Sequence, residues 1–260
     1  MTIVCRKCGD RGYLIEMGGE TAVAKVCACR SPCPKCGDTG WWMELADGRP
    51  VSKPCDCRHL RRHVSHYNDA GIPARMHRCQ LENFEDKGGT QGEVKAHLKR
   101  FRQAFRPGNR GLLLWGPPGT GKTHLATALL HYFTLERGYT ARFQDFFHLL
   151  SDLKAAYGLN RSEDAILGPL VDVDVLVIDE LGKGRASEWE ISVLDQLVSR
   201  RYNAQKTIVA TTNFDVTDTA PGPDAASARL IDRVDGRIYS RLREMCDFHE
   251  VNGPDWRKRG

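Results

Sequence analysis

The chain has 260 residues, of which 41% are hydrophobic and 27% are charged, and its formal net charge is +5. This composition is typical of a soluble globular protein, and the length allows a main core of roughly 150 residues beside a smaller unit. No apolar run approaches the roughly 20 residues of a membrane-spanning helix, and the amino terminus lacks the apolar stretch of a secretory signal. We therefore expect no membrane association and a cytoplasmic location.

The first 60 residues contain an internal repeat in which every cysteine recurs 28 positions later. Each copy reads C-x2-C-G-D-x-G-aromatic, continues with an alternating stretch and ends in C-x-C. The alternating stretches, residues 13–26 and 41–54, predict hairpins with turns at Gly18-Gly19 and Asp47-Gly48. Each hairpin would return its C-x-C pair to the opening C-x2-C. The two sets of cysteines are Cys5, Cys8, Cys27 and Cys29, and Cys33, Cys36, Cys55 and Cys57.

Four thiolates with this spacing indicate a tetrahedral Zn²⁺ site in each repeat, so we predict two zinc ions. Because four protein ligands leave no position for a catalytic water, the sites would be structural and would fold a unit too small to bury a core. A disulfide framework is the alternative, but it belongs to oxidising compartments. A redox role for the C-x2-C pairs is weaker, since a thioredoxin-type site has one such pair in a βαβ setting.

An apolar run over Leu112–Trp115 is followed by a glycine-rich loop and then by an apolar-periodic segment from Lys122 to about Leu135. A strand, G-x-x-x-x-G-K-T and a helix in this order form a phosphate-binding P-loop, with backbone N–H groups at the helix N-terminus. Lys122 would reach the β- and γ-phosphates and Thr123 would bind Mg²⁺. The predicted nucleotide-binding residues are Gly116, Pro117, Pro118, Gly119, Thr120, Gly121, Lys122, Thr123 and His124.

Two further strands are predicted to end beside this loop. The apolar run Val173–Ile178 ends in Asp179 and Glu180, and the run Thr207–Thr212 ends at Asn213. Acidic groups at the carboxyl edge of a parallel sheet suit Mg²⁺ binding by Asp179 and polarisation of the attacking water by Glu180, with Asn213 orienting that water. A helix cap for the two acids and a turn for the asparagine are the plainer alternatives.

Together these residues resemble the AAA+ ATPases of the DnaC/DnaI helicase-loader and IstB transposition-helper group, over roughly residues 67–257. The P-loop alone indicates only a superfamily, and more particular marks narrow it. These are Ala70-Gly71-Ile72-Pro73, Leu81-Glu82-Asn83-Phe84, Ile178-Asp179-Glu180-Leu181-Gly182, Thr212-Asn213-Phe214, Ser240-Arg241-Leu242 and Asp255-Trp256-Arg257.

The resemblance implies that Arg241 is an arginine finger, which enters the nucleotide site of a neighbouring subunit, and that Arg257 is the second sensor arginine. Arg237 is the competing finger, and ordinary surface ion pairing is the alternative for either residue. A predicted amphipathic helix from Phe143 to Tyr157 is explained mostly by core packing. In the family, helices of this region contact single-stranded DNA, which makes Lys154, Tyr157, Asn160 and Arg161 candidates for that contact.

The predicted fold is therefore α/β, a P-loop AAA+ core with a parallel sheet flanked by helices plus a small β-rich zinc-binding domain. We expect the zinc domain in residues 1–60, a linker in 61–90 and the ATPase domain in 91–260. The expected function is ATP hydrolysis coupled to loading a replicative helicase onto single-stranded DNA, in an ATP-dependent oligomer. Two alternatives stay open: a transposition helper that coats duplex DNA, and a zinc adaptor switched by nucleotide.

Overall fold

A computed structural model describes residues 5–46, 48–217 and 229–257 of the chain. Two small antiparallel hairpins come first, and a five-stranded parallel sheet flanked by helices follows them. This arrangement confirms the predicted fold class. No helix within the described ranges is both long and apolar enough to span a membrane.

Each cysteine repeat folds as one hairpin. Ribbon 1, residues 5–29, contains β1 (Tyr13–Gly18) and β2 (Thr21–Val26), and ribbon 2, residues 33–57, contains β3 (Trp41–Ala46) and β4 (Arg49–Pro54). Gly19 and Gly48 lie in the turns, where their φ angles are both +75°. The turns fall where the sequence predicts them, although Asp47 lies outside the described residues.

The Gly-Asp pair after each C-x2-C shapes the turn that carries the first two thiols. In ribbon 1, Gly9 and Asp10 adopt φ angles of +55° and +63°. Asp10 Oδ1 accepts a hydrogen bond from the Cys5 N–H at 2.8 Å, which closes the turn. Glycine and aspartate tolerate this left-handed backbone better than bulkier residues, so the conformation explains why the pair recurs in ribbon 2.

Three helical elements connect the ribbons to the sheet. They are α1 (Arg58–Asp69), a 3₁₀ turn at Ala74–Met76 and α2 (Gln91–Ala104). Ribbon 1 packs on this connection, because Tyr13, Ala22 and Ala24 belong to the same buried cluster as Val64 and Tyr67 of α1. Ribbon 2 has no residue in either buried cluster of the described chain.

The central sheet has the strand order β6-β7-β8-β5-β9, and all of its pairings are parallel. Its strands are β5 (Gly111–Trp115), β6 (Ala141–Asp145), β7 (Val175–Asp179), β8 (Thr207–Thr212) and β9 (Cys246–Glu250). The helices are α3 (Lys122–His131), which a π-helical segment extends over Tyr132–Glu136, α4 (Phe146–Gly158), α5 (Asp164–Asp172), α6 (Glu188–Asn203), α7 (Ile231–Val234) and α8 (Gly236–Met245).

The sequence misplaces one boundary of the helix predicted from Phe143. Phe143 belongs to β6 and is in register with Val177 of β7. The helix starts only at Phe146, because Asp145 Oδ1 accepts the His148 N–H at 2.9 Å and caps it. Similarly, β7 begins at Val175, since Asp174 leaves the strand to bind the Thr140 backbone N–H and hydroxyl.

A buried arginine joins α5, β7 and β8 at the amino-terminal end of those strands. Arg201 is fully buried on α6, and burial lowers its pKa to about 9. Its guanidinium donates to five backbone carbonyls, those of Leu170, Val171, Val173, Asp174 and Thr207. These carbonyls lie at the end of a helix and around the starts of two strands, where regular structure leaves them unpaired.

We predict that Arg201→Met lowers the free energy of unfolding by about 3 kcal/mol or more, because several buried carbonyls lose a charged donor. Urea denaturation followed by far-ultraviolet circular dichroism measures this change. Arg200→Met is the matched control, since Arg200 is partly exposed and pairs with Asp164 at the surface. It should cost about 1 kcal/mol or less, and equal costs for the two variants would contradict the role given to Arg201.

Candidate functional site

The glycine-rich loop connects β5 to α3 at the carboxyl edge of the sheet. Gly121 precedes the helix with a φ angle of +96°, and a Cβ atom there would come within 2.5 Å of the Phe84 ring. Gly116 has a φ angle of +133°, and its Cβ would lie 2.6 Å from the Val251 carbonyl oxygen. Both positions therefore need glycine. The loop leads into the N-terminus of α3, where backbone N–H groups suit the binding of an anion.

Lys122 is buried within the loop. Its ammonium donates to the carbonyl oxygens of Gly116 at 2.8 Å and of Pro117 at 2.7 Å. Burial lowers the pKa of Lys122 to about 8, and the nearby Asp179 carboxylate opposes that shift. Thr120 is also buried, and its hydroxyl donates to the Pro117 carbonyl at 3.0 Å, which ties the loop to itself.

The Asp179 carboxylate lies at the centre of the site. Its Oδ1 accepts hydrogen bonds from the hydroxyls of Thr123 at 2.9 Å and Thr211 at 2.6 Å. Burial raises the pKa of Asp179, while the two hydroxyls act in the opposite direction. A threonine hydroxyl and a carboxylate are hard oxygen ligands, so this pair fits a Mg²⁺ ion on the phosphates.

Thr211 is a site residue that sequence reasoning missed. It lies two residues before Asn213 on β8, and its hydroxyl also accepts the Glu180 backbone N–H at 3.1 Å. A polar residue on a fully buried parallel strand is the signal that could have identified it, because such a group needs a buried partner.

Glu180 and Asn213 follow the ends of β7 and β8. Glu180 has a φ angle of +56°, and its carboxylate forms an ion pair with Lys183. Asn213 is exposed and comes directly after Thr212, which is in register with Trp115 at the start of the loop. Both predicted residues therefore lie at the same sheet edge as the P-loop.

The carboxyl-terminal segment lies over the other side of the loop. The Trp256 backbone N–H donates to the Gly119 carbonyl at 3.0 Å, and the Trp256 ring centroid is 5.6 Å from that of Phe84. Arg257 is largely exposed and bonds Asp255 Oδ1 at 3.1 Å. Burial is the main cause of the lowered pKa of Lys122, and the positive charge of Arg257 lowers that pKa further.

His124, also predicted to bind nucleotide, points toward the segment before the loop. Its Nε2 lies 3.1 Å from the Gln80 carbonyl oxygen, and its ring packs against Phe84 with centroids 5.4 Å apart. Burial lowers the pKa of His124. These contacts join α3 to residues 80–84.

The two candidate finger arginines lie on α8 and contact α6 rather than the P-loop of their own chain. Arg241 donates to Asp195 Oδ1 at 2.7 Å and to Ser199 Oγ at 2.6 Å, and 25% of its side chain is exposed. Arg237 is 68% exposed and lies 3.9 Å from Asp195 Oδ2. Arg241 is thus held in one orientation, while Arg237 makes a longer contact with the same carboxylate.

The eight repeat cysteines form two separate clusters. Within each, the four Sγ atoms lie within 4.8 Å of one another. Two Sγ–Sγ pairs are 3.5 and 3.9 Å apart in ribbon 1, and two are 3.2 and 3.7 Å apart in ribbon 2. Because Zn–S bonds of about 2.3 Å in a tetrahedron place sulfurs about 3.8 Å apart, both clusters fit zinc.

Cys79 and Cys246 lie outside the clusters and are buried. Burial raises the pKa of both thiols to about 12. Both therefore pack as small apolar side chains in the core.

Comparison with known proteins agrees with this geometry. The family model described as "IstB-like ATP binding protein" matches residues 49–259. The replicative helicase loader DnaC of Buchnera aphidicola subsp. Schizaphis graminum is 30% identical over 148 residues, which is 56% of this chain and 60% of the relative. The chain thus spans somewhat less than two thirds of that relative.

Solved structures show the same fold. The crystal structure of the DnaC helicase loader aligns with a TM-score of 0.59 and 27% identity, over 68% of this chain and 99% of that one. The crystal structure of DnaI aligns with a TM-score of 0.56 and 22% identity, over 71% of this chain and 93% of that one. With its P-loop, acidic strand end and matched length, the chain belongs to the IstB-like ATP-binding protein family.

Proposed function

We propose that this chain hydrolyses ATP and uses that cycle to load a replicative helicase onto single-stranded DNA. The observation that carries the proposal is the cluster in which Thr123 and Thr211 hold Asp179 beside the buried Lys122. Helicase loading is supported by the relatives and solved structures that are named as helicase loaders.

The proposed chemistry assigns one task to each side chain. Loop N–H groups and Lys122 bind the phosphates, and Thr123 and Asp179 hold Mg²⁺, which neutralises phosphate charge. Glu180 orients and polarises the attacking water, and Asn213 fixes that water from the neighbouring strand. Arg257 of the same chain and Arg241 of a neighbouring subunit offset the charge that develops on the γ-phosphate.

We further propose that zinc fills both cysteine clusters, and that residues 1–60 form the partner-binding domain, 61–90 the linker and 91–260 the ATPase domain. Single-stranded DNA would contact the exposed side of α4, where Tyr157 and Phe147 are exposed and the Lys154 ammonium lies 4.9 Å from the Trp189 ring centroid. Aromatic rings beside a cation suit stacked bases and a phosphate backbone.

A transposition helper is the second candidate, because the matching family model is named after IstB. Such a protein would coat duplex DNA and recruit a transposase. The loading experiment below separates the two, since only a loader leaves a helicase on single strands.

The first experiment measures transfer of the purified hexameric helicase of the same organism onto circular single-stranded DNA, isolated by gel filtration. We expect transfer that requires this protein and ATP. Lys122→Ala should lose ATP binding by about 100-fold or more and abolish transfer, because the buried ammonium is the main phosphate ligand of the loop. Lys99→Ala, on the exposed side of α2, is the control and should behave as wild type.

Helicase transfer without ATP, or tight ATP binding by Lys122→Ala, would contradict this account. ATP-dependent coating of duplex DNA with no helicase transfer would instead favour the transposition helper.

Glu180→Gln should bind ATP with wild-type affinity and hydrolyse it about 100-fold more slowly, because an amide cannot accept a proton from water. Phosphate release and binding of a fluorescent ATP analogue measure the two effects. Glu188→Gln, on the exposed start of α6, is the matched control. Wild-type turnover by Glu180→Gln would reject its role.

Arg241→Ala should lower partner-stimulated hydrolysis by about 1,000-fold and spare ATP binding, since an arginine finger acts only on the transition state. Arg237→Ala should change hydrolysis less than about threefold. Mixing Arg241→Ala with Lys122→Ala chains tests the action in trans, because only mixed neighbours pair an intact finger with an intact P-loop. Absence of any recovery on mixing, or a larger loss in Arg237→Ala, would overturn the assignment.

A further inference from the structure

The two ribbons have the same fold but different surroundings. In β3 and β4, alternate residues form one face of the hairpin, with Trp41 opposite Pro54, Met43 opposite Ser52 and Leu45 opposite Pro50. All six residues of this docking face are exposed, and 50% of Trp41, 62% of Met43 and 73% of Leu45 is accessible. Large apolar side chains gathered on one exposed face indicate a contact surface.

The equivalent face of ribbon 1 shows what such a surface packs on. Tyr13, the counterpart of Trp41, is buried, as are Ala22 and Ala24, the counterparts of Pro50 and Ser52. These residues lie against α1 and the end of the π-helical segment, where the Tyr13 hydroxyl donates to Glu136 Oε1 at 2.5 Å. Ribbon 1 thus packs on an apolar helical surface that has an acidic residue beside the aromatic ring.

Backbone bonds also hold ribbon 1, along the outer edge of β2. The Ala22 N–H donates to the Ile72 carbonyl at 2.7 Å, and the Ala24 N–H donates to Asn68 Oδ1 at 2.7 Å. In ribbon 2, proline replaces Ala22 at position 50 and stands again at position 54. Proline has no N–H, so Pro50 cannot form the backbone hydrogen bond that Ala22 makes. The edge of β4 therefore resists pairing with another strand. The side chains of the docking face therefore offer the more favourable contact surface of ribbon 2.

The chemistry at the margin of the docking face favours a protein over a nucleic acid. The Arg58 guanidinium lies 4.5 Å from the Trp41 ring centroid, so it would attract a carboxylate to the side of that ring. In ribbon 1 the acidic Glu136 binds Tyr13, the counterpart of Trp41. Met43, Leu45 and Pro50 offer nothing to a phosphate backbone, whereas they suit apolar side chains on a helix. A second copy of this chain cannot offer the helical surface on which ribbon 1 packs, because its own ribbon 1 already covers that surface.

We propose that the docking face of ribbon 2 binds an apolar helical surface of the replicative helicase that carries an acidic residue at its margin. Ribbon 1 is then an internal brace for the ATPase core, and ribbon 2 is the module that grips the partner. This inference rests on the proposed function, because it takes the helicase as the partner.

The experiment compares Leu45→Lys with Met17→Lys in the full chain. Met17 is the repeat counterpart of Leu45 and is exposed to a similar extent at the tip of ribbon 1, so the two substitutions are chemically matched. Binding to the purified hexameric helicase is measured by biolayer interferometry with ATP present. Zinc content and ATP affinity are measured on both variants and should equal those of the wild type.

We expect Leu45→Lys to weaken helicase binding by about 30-fold or more, because it places a charge on the apolar docking face, and Met17→Lys to change it less than about threefold. Equal affinities for the two variants, with the wild type binding, would overturn the docking face and leave the loading function intact. No helicase binding by the wild type would overturn both.

Two further measurements on Leu45→Lys distinguish other molecules that could bind the docking face. A change in sedimentation of the chain alone on Leu45→Lys would assign the face to self-association. Loss of oligo(dT) binding in Leu45→Lys, with helicase binding retained, would assign it to single-stranded DNA. Either result would overturn the proposal.

Discussion

The ATPase part of the molecule depends on one buried carboxylate. Asp179 ends β7, and its two hydroxyl donors come from α3 and β8, so a single group ties the P-loop helix to two adjacent strands. Burial disfavours the ionised carboxylate, and the donors from Thr123 and Thr211 compensate for part of that cost. In the proposed chemistry, the same oxygen atoms would hold a cation beside the buried Lys122. Stability of the sheet edge and the proposed phosphate chemistry would then depend on the same contacts.

The two ribbons share one fold but differ in what their faces contact. Both use the same cysteine spacing and turn, yet small alanines on ribbon 1 permit close approach to α1, while prolines on ribbon 2 remove backbone donors from its edge. A duplicated unit thus provides both attachment to the core and an exposed apolar face. In the proposed function, the ATP site would act on the helicase through this attachment. Ribbon 1 contacts the π-helical segment that extends α3, the helix of the P-loop.

Much of this could be predicted from the sequence, because the motifs are local. The P-loop, the strand ending in Asp179 and Glu180 and the paired cysteines each need a fixed spacing, and the structure brings the thiols of each repeat together. Thr211 and Arg201 were missed because their partners lie on distant elements, which no local pattern encodes. The helix predicted from Phe143 began too early, because Phe143 of β6 lies three residues before Phe146 and so fits the apolar spacing of a helix, and only the Asp145 cap marks where the helix begins. The faces of the ribbons differ by small residues whose burial depends on what they pack against.

The central claim is that the nucleotide site is completed by a neighbouring subunit and hydrolyses ATP. The most direct measurement is phosphate release per chain as the protein concentration is raised, with helicase and single-stranded DNA present at saturating levels. The account predicts negligible turnover when chains are dilute and a steep rise as they assemble. A turnover per chain that is the same at every concentration, or absent at all of them, would contradict it.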